Sequence, residues 1–435
     1  MASILPFRGL RYNTNQSLDL AMVTAPPYDC IGEGFQRELH DRHPHNVVRL
    51  ILGYQQPGDT DADNRYTRSA RCLKQWQDAN VLVREGRPAL YLYEQEFTAG
   101  GTTHVRRGFI ARVALEEFGS GDIHPHEQTF SGPKEDRLRL LKATRTNLSQ
   151  VFALYPDETN EVMAAFDRRP LARPDLVVTD DHGVINRMWI ITHEETAADV
   201  CSLMHRKPLF IADGHHRYTT ALNYRNWLRS RGEDVSGHHP ANFTSIMCVS
   251  MSDPGLVVFP THRVLANFPQ VTADQMRQAL AAHFSWQEFT GAEAVSGRLE
   301  ERLAESKSPS IGIYLRGDQS AYMAQLKNIS AMDRLATDHS PQWRRLDVAV
   351  LHQLVIDRLL PETFGPQNEL QIRYVHLAAE AFDAVHEDNA SVALLLKPPT
   401  VNDVRVIAGN GELMPQKSTY FYPKLLSGLV MNPLD

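Results

Sequence analysis

The apolar run Pro208-Leu209-Phe210-Ile211-Ala212 passes directly into Asp213-Gly214-His215-His216-Arg217, after which Tyr218, Ala221, Leu222 and Leu228 recur at helical spacing. The motif therefore sits where a strand becomes a helix. Asp213 is expected to cap that helix and Gly214 to let the backbone approach a ligand closely. The first free N–H groups then point outward with the positive end of the helix dipole, a geometry that binds anions and phosphate above all. Arg217 adds a planar fork suited to phosphate oxygens, and His215 or His216 can donate further hydrogen bonds or move a proton. The plainer alternative is that Asp213 only caps while the histidines pack or face solvent.

The rest of the chain repeats the alternation. Asn46 to Leu52, Ala89 to Tyr93 and Arg107 to Val113 are short apolar or alternating runs that predict strands, whereas Tyr66 to Ala79 and Lys134 to Thr146 carry helical patterns. The class is α/β, mixed α and β. At about 150 residues per domain, 435 residues predict two or three domains. The expected division is an amino-terminal α/β region over 1–120, a core carrying the D-G-H-H-R motif over 121–240, and a carboxy-terminal α/β region over 241–435. No internal repeat or low-complexity tract is apparent.

The 45 Lys and Arg against 52 Asp and Glu leave a net charge of -7, which supplies no general field for phosphate backbones, so a nucleic-acid partner is not expected. Four scattered cysteines without C-x-x-C spacing indicate neither a disulfide framework nor a zinc knuckle, and a reducing compartment is the simpler reading. No run approaches the ~18 apolar residues that span a bilayer, and the first residues lack a signal-peptide pattern. No membrane association is expected, and a cytoplasmic location is.

A second constellation runs from Gly121 to Arg137 and is dense in titratable side chains. Ser131 is expected to cap the following helix with Pro133 in its first turn, leaving Lys134, Arg137 and Arg145 around one surface as phosphate or carboxylate contacts. Glu127 precedes them, where a carboxylate can accept the proton of an attacking hydroxyl. Glu135, Asp136, Arg137 and Arg139 also fit ordinary solvated ion pairs. His124 and His126, with His215 or His216, form an alternative metal-ligand set, though no acidic residue is identifiable to complete it. His262 and Arg263 follow the apolar run Leu256 to Phe259 and are expected at a strand end, as ligand contacts or a surface pair. Gln416-Lys417-Ser418-Thr419 lacks the glycines of a P-loop; Lys417, Ser418, Thr419 and Lys424 are anion contacts or part of a docking tail. Asp29, after Pro26-Pro27-Tyr28, either lines the site or forms an Asx-turn.

Asp213-Gly214-His215-His216-Arg217 with Ala221 downstream looks like the G-x-H-R-x-x-A nucleotide-phosphate motif of the ParB/sulfiredoxin superfamily, and its D-G-H-H-R form is similar to that of free L-serine kinases. The wider chain resembles the family known as domain of unknown function (DUF) 1015. That resemblance lies in Ala25 to Asp29, Asn46 to Leu50, Gly108 to Phe152, Asp213 to Arg225, Pro260 to Arg263 and Met414 to Leu425. The motif's similarity to free L-serine kinases implies a ParB/sulfiredoxin-like nucleotide-binding core with additional amino- and carboxy-terminal regions, using ATP or ADP with Mg²⁺ to phosphorylate a small-molecule hydroxyl, free L-serine first. Asp213, Gly214, His215, His216 and Arg217 would hold the nucleotide. On the reading of the residues themselves, Glu127 and His216 would act in catalysis. His126, Lys134, Arg137, His262, Arg263, Lys417, Ser418 and Thr419 would bind the substrate, with no metal site beyond the nucleotide's Mg²⁺. A metal-dependent hydrolase and a non-catalytic nucleotide-binding regulator remain the alternatives, and a homodimer is left open.

Overall fold

The computed structural model describes residues 3–435 apart from 17, 129–130, 291 and 388–389. The chain divides into two compact units, Met1–Leu256 with Pro423–Asp435, and Val257–Tyr422. The divisions expected at 120 and at 240 both fall inside the first unit, because strands on either side of each one belong to a single sheet.

That sheet has nine strands. Across it lie Ile123–His124, Leu209–Asp213, Val151–Tyr155, Phe243–Ser250, Thr102–Ala114, Leu90–Ala99, Ile185–Ile191 and Leu176–Thr179, with Ile4–Leu5 paired to Thr102–Ala114. Most pairs are antiparallel; Ile123–His124 runs parallel to Leu209–Asp213, and Phe243–Ser250 runs parallel to Val151–Tyr155. Val151–Tyr155 and Phe243–Ser250 are buried at every residue, and the first reads as a continuous apolar run rather than as alternation. Their apolar face meets Val162, Met163 and Phe166 of the helix Glu161–Asp167, Val200 and Met204 of Glu194–Met204, and Tyr218, Ala221 and Leu222 of His215–Ser230. The helix Ser131–Thr144 docks on that last helix through Leu138 and Leu141, which cluster with Tyr224 and Leu228.

The tail closes the unit. Leu10 and Met431 exchange backbone hydrogen bonds of 2.9 and 2.8 Å, Asn432 pairs with Asn147, and Leu434 N–H donates to Arg145 O at 2.8 Å. Residues 46–52, expected as a strand, form instead a one-turn helix, Val48–Ile51. The Asn46 side chain starts it, accepting from Val48 N–H at 2.9 Å while donating to Met22 O and Thr24 O. A short apolar run buried on all sides carries no period to separate helix from strand.

The second unit holds a six-stranded antiparallel sheet in the order Phe284–Phe289, Ala321–Leu326, Ser310–Leu315, Ala390–Leu395, His262–Ala266, Gln371–Val375. The helices Ala292–Glu305 and Ala378–Glu387 cover one face, where Leu299, Leu303, Ala381 and Val385 meet Val264, Met323, Ala393 and Leu395. His262 and Arg263, expected to end a strand, open one. Pro260, which has no N–H to donate, separates Val257–Phe259 from His262–Ala266. Among the described residues, no helix is long and apolar enough to cross a membrane.

Candidate functional site

The D-G-H-H-R turn and the segment around His126 converge in the first unit. Phe210 pairs in register with His124 across the two parallel strands. His126 N–H then donates to His215 Nε2 at 3.2 Å, and His126 Nδ1 donates to Ile211 O at 2.6 Å. An Nε2 that accepts leaves the His215 proton on Nδ1, an assignment made from the hydrogen bond. Both rings are buried and meet edge to face at 4.7 Å. Burial holds both imidazoles below their ordinary pKa, and for His215 the neighbouring His126 adds to the effect, so the pair is neutral at pH 7. His126, expected to touch substrate, is fully buried and positions His215 instead.

Asp213 ends its strand where the pairing with Val151–Tyr155 shifts register between Ile211 and Asp213, and such an irregularity re-aims a side chain. The expected capping by Asp213 does not occur. Gly214 is the N-cap, at φ 86° and ψ 28°, and no side chain caps the first turn. The Asp213 carboxylate faces two cations instead, with Oδ2 2.9 Å from Arg217 NH2 and Oδ1 3.2 Å from Lys424 Nζ. Burial pushes this carboxyl up, but Lys424 and Arg217 outweigh it and hold it well below the usual carboxylate range.

Arg217 folds back over the turn and also donates through NH1 to Gln150 O. A Cβ at position 214 would lie 2.9 Å from Arg217 Nε, so the space left by the glycine is taken up by Arg217. Lys424 is held from behind: Gln95 Nε2 donates to Lys424 O at 3.1 Å and the buried Arg106 donates to Pro423 O at 2.6 Å. His216 is half-buried in the first turn of the helix, and Glu127 is half-exposed just beyond His126.

Arg137 belongs to the same neighbourhood. It is buried, donates to Ile51 O at 2.7 Å, and lies 4.1 Å from the centre of the Tyr28 ring. Arg137, Arg217, Tyr28, Ser149 and Thr244 line one small cavity of about 60 Å³. Arg137 also bonds Asp136, which in turn pairs with Arg65 and accepts from Tyr66 OH at 2.8 Å. The solvated-pair reading therefore holds for Glu135 and Arg139, which are exposed and 2.9 Å apart, and fails for Asp136 and Arg137. Lys134 is half-exposed on the same helix. Arg145, expected on that surface, lies beyond the helix end at φ 47°, where it terminates the last turn. The cap expected from Ser131 concerns a side chain outside the described residues.

The histidines offer no metal cage. His124 stacks on Phe210 at 5.0 Å, His126 Nδ1 is bonded to Ile211 O, and among the described residues no group of three or more His, Cys, Asp or Glu is placed to hold a metal ion. His262, Arg263, Lys417, Ser418 and Thr419 belong to the second unit. There Arg263 is buried and donates to Thr261 O, to Gln416 O at 3.2 Å and to Lys417 O at 2.9 Å, while Ser418 Oγ donates to Pro415 O. Lys417 is exposed, at φ 55°. Sequence reasoning did not identify Gln150, Gln95, Arg106 or Tyr28 as supports. Pro26-Pro27-Tyr28 was the only local signal, since the others bond through backbone carbonyls that no motif marks.

No curated protein sequence matches this chain. Among solved structures it is similar to a conserved hypothetical protein from Pyrococcus furiosus, at 12% identity over 71% of this chain and 92% of that one, with a TM-score of 0.32. It is also similar to free serine kinase in complex with AMP, at 12% identity over 71% and 89% with a TM-score of 0.34. A third is SbnI with a C-terminal truncation from Staphylococcus aureus, at 11% identity over 75% and 87% with a TM-score of 0.35. Likenesses of this order assign no function. Residues 4–349 match the family described as protein of unknown function (DUF1015), and the chain belongs to that family.

Proposed function

We propose that the first unit binds a nucleotide at the Asp213–Arg217 turn and transfers its phosphoryl group to the hydroxyl of a small molecule, with free L-serine the first acceptor to test. The observation that carries this reading is the His126 N–H bond to His215, which keeps the Glu127 segment beside the D-G-H-H-R turn. Without that junction, a base and a phosphate site about 90 residues apart would be separate features.

The chemistry follows from charge. Arg217 and Lys424 bring two cations to the turn beside the uncapped positive end of a helix. Phosphate oxygens are stabilised by both. The strand, glycine turn and helix, with the D-G-H-H-R residues, support reading this centre as a ParB/sulfiredoxin-like nucleotide-binding core. Glu127 accepts the proton of the attacking hydroxyl, His216 in the first turn contacts the transferred group, and Lys134 with Arg137 receives the substrate's carboxylate. His126 and His215, both neutral, hold the geometry and add no charge.

Mg²⁺ takes oxygen ligands, typically one or two carboxylates besides substrate phosphates. Both Asp213 oxygens are engaged by cations and Glu127 serves as the base, which leaves Asp29, an electrostatic neighbour of Arg217, as the carboxylate suited to it. Bound with the nucleotide, the ion supplies neutralisation of phosphate charge. All four cysteines are free, which accords with a cytoplasmic enzyme.

The test is nucleotide turnover by the purified chain with Mg²⁺ and either ATP or ADP, with and without L-serine. Acceptor-dependent product is expected, lost in Glu127→Gln with nucleotide affinity retained. Tight binding without turnover would favour a regulator, and no binding to either nucleotide would end the phosphate reading of the turn.

A further inference from the structure

The small cavity that Arg137, Arg217 and Tyr28 share in the first unit is apolar along one wall. Arg137, Leu140 and Leu141 stand at i, i+3 and i+4 of the helix Ser131–Thr144, so the guanidinium and the two leucines lie on one face of it. Ile51 and Leu148 extend that wall from other segments, and all four aliphatic side chains are buried. The Tyr28 ring, whose centre is 4.1 Å from the Arg137 guanidinium, adds an aromatic surface. Arg217 belongs both to this cavity and to the Asp213 turn, so a molecule held at the turn reaches into it.

Several polar groups around this space are already satisfied by the protein. Thr146 Oγ donates to Thr144 O at 3.0 Å, and the Ser149 and Ser427 hydroxyls pair at 2.7 Å. Asn147 Oδ1 accepts from Ser245 N–H at 3.3 Å and from Asn432 Nδ2 at 2.8 Å. The Thr220 hydroxyl is fully enclosed and offers the cavity nothing to bond. What the space presents beside its two arginines is therefore apolar surface, which stabilises an apolar group and penalises a polar one left unpaired. One water takes about 10–15 Å³ of such space, so about 60 Å³ admits a branch of a few carbon atoms.

We infer that this cavity selects the acceptor: the molecule phosphorylated at the Asp213 turn is a small hydroxy amino acid with an apolar branch of one to three carbons, seated against Ile51, Leu140 and Leu148. The inference rests on the phosphotransfer reading of that turn and adds the size and polarity of the acceptor's skeleton. Each carbon buried there strengthens acceptor binding by about fourfold.

Calorimetric titration of the whole chain, with ADP present and Mg²⁺ absent so that no turnover intervenes, compares acceptors of graded size. L-serine has no branch, L-threonine and L-allo-threonine point one methyl in different directions, and 3-hydroxyleucine carries an isopropyl group. At least one branched acceptor is expected to bind about fourfold or more tighter than serine, with the two threonine diastereomers unequal. Leu148→Phe, which fills the space, should shift the preference toward serine, and Leu148→Ala, which enlarges it, toward 3-hydroxyleucine. Opposite shifts from one position are a readout that a general loss of structure does not produce, and the comparison on the parent chain needs no variant. Serine bound as tightly as every branched acceptor, or a preference that neither variant moves, would overturn the assignment and leave phosphotransfer in place. Failure of every acceptor to bind would instead remove the phosphotransfer reading, and this inference with it.

Discussion

Lys424 Nζ lies 3.2 Å from Asp213 Oδ1 across 211 residues of sequence, and the opposite oxygen of the same carboxylate binds Arg217. Removing Lys424 leaves a largely buried carboxylate with one cation instead of two. Lys424→Ala should cost about 2 kcal/mol of stability and weaken nucleotide binding. The pH dependence has a defined sign. The folded-state pKa of Asp213 lies below its unfolded value of about 3.9, so its stabilisation is present above that pH and lost as acid protonates it. The gap between parent and variant should be widest above about pH 4 and narrow below it, as denaturant titrations at pH 7 and pH 3 would show.

Gly214 and Gly232 stand at the two ends of one helix, both at positive φ, 86° and 81°. A Cβ at 232 meets nothing within 4 Å, whereas one at 214 meets Arg217 Nε at 2.9 Å. Gly232→Ala should cost about 1 kcal/mol of backbone strain. Gly214→Ala should cost about 1–2 kcal/mol more, because Arg217 must leave Asp213 or Gln150. Equal losses in thermal denaturation would show that Arg217 does not depend on the glycine.

His262 and His352, both in the second unit, are pushed down to about 4, by burial first and by Arg263 next. Each is neutral when folded and takes up a proton on unfolding below its ordinary value of 6.5. Their stabilisation is therefore complete above pH 6.5 and lost as pH falls toward 4. Each should contribute a slope of about 1.4 kcal/mol per pH unit in that window. Hydrogen exchange in the second unit at pH 7, 6 and 5 measures it, and a flat profile would contradict the assignment.

Arg137 serves through its shape as well as its charge. Its guanidinium stacks on Tyr28 and reaches Ile51 O while bonding Asp136. Arg137→Lys keeps the charge and loses the planar fork, so a loss of about 1–2 kcal/mol is expected, with weaker acceptor binding. Thermal denaturation beside acceptor KM separates the two effects.

The strand, turn and helix around Asp213 were legible because the pattern changes there from a continuous apolar run to helical spacing within three residues. Ala89 to Tyr93 and Arg107 to Val113 were legible as short apolar or alternating runs, and both expected helices by their helical spacing. Asn46 to Leu52 was not, because the turn is started by hydrogen bonds from Asn46 to residues more than twenty positions earlier. The roles within the site were least legible. Lys424 stood out as an anion contact, yet its partner is internal, and His126 stood out as a substrate contact, yet its ring serves the backbone of Ile211. Local spacing identifies residue chemistry; which groups face one another depends on long-range pairing of strands.

The return of Pro423–Asp435 to the first unit bears on how the protein is made. A ribosome that has delivered Asp213 and Arg217 must still synthesise the whole second unit before Lys424 exists. Until then the nascent first unit carries a buried carboxylate short of one counter-ion, and Leu10 lacks its tail partner. A chain released early would lack the lysine that completes the charge balance of the turn. Translation order thus delays completion of the Asp213, Arg217 and Lys424 cluster until both units have been synthesised.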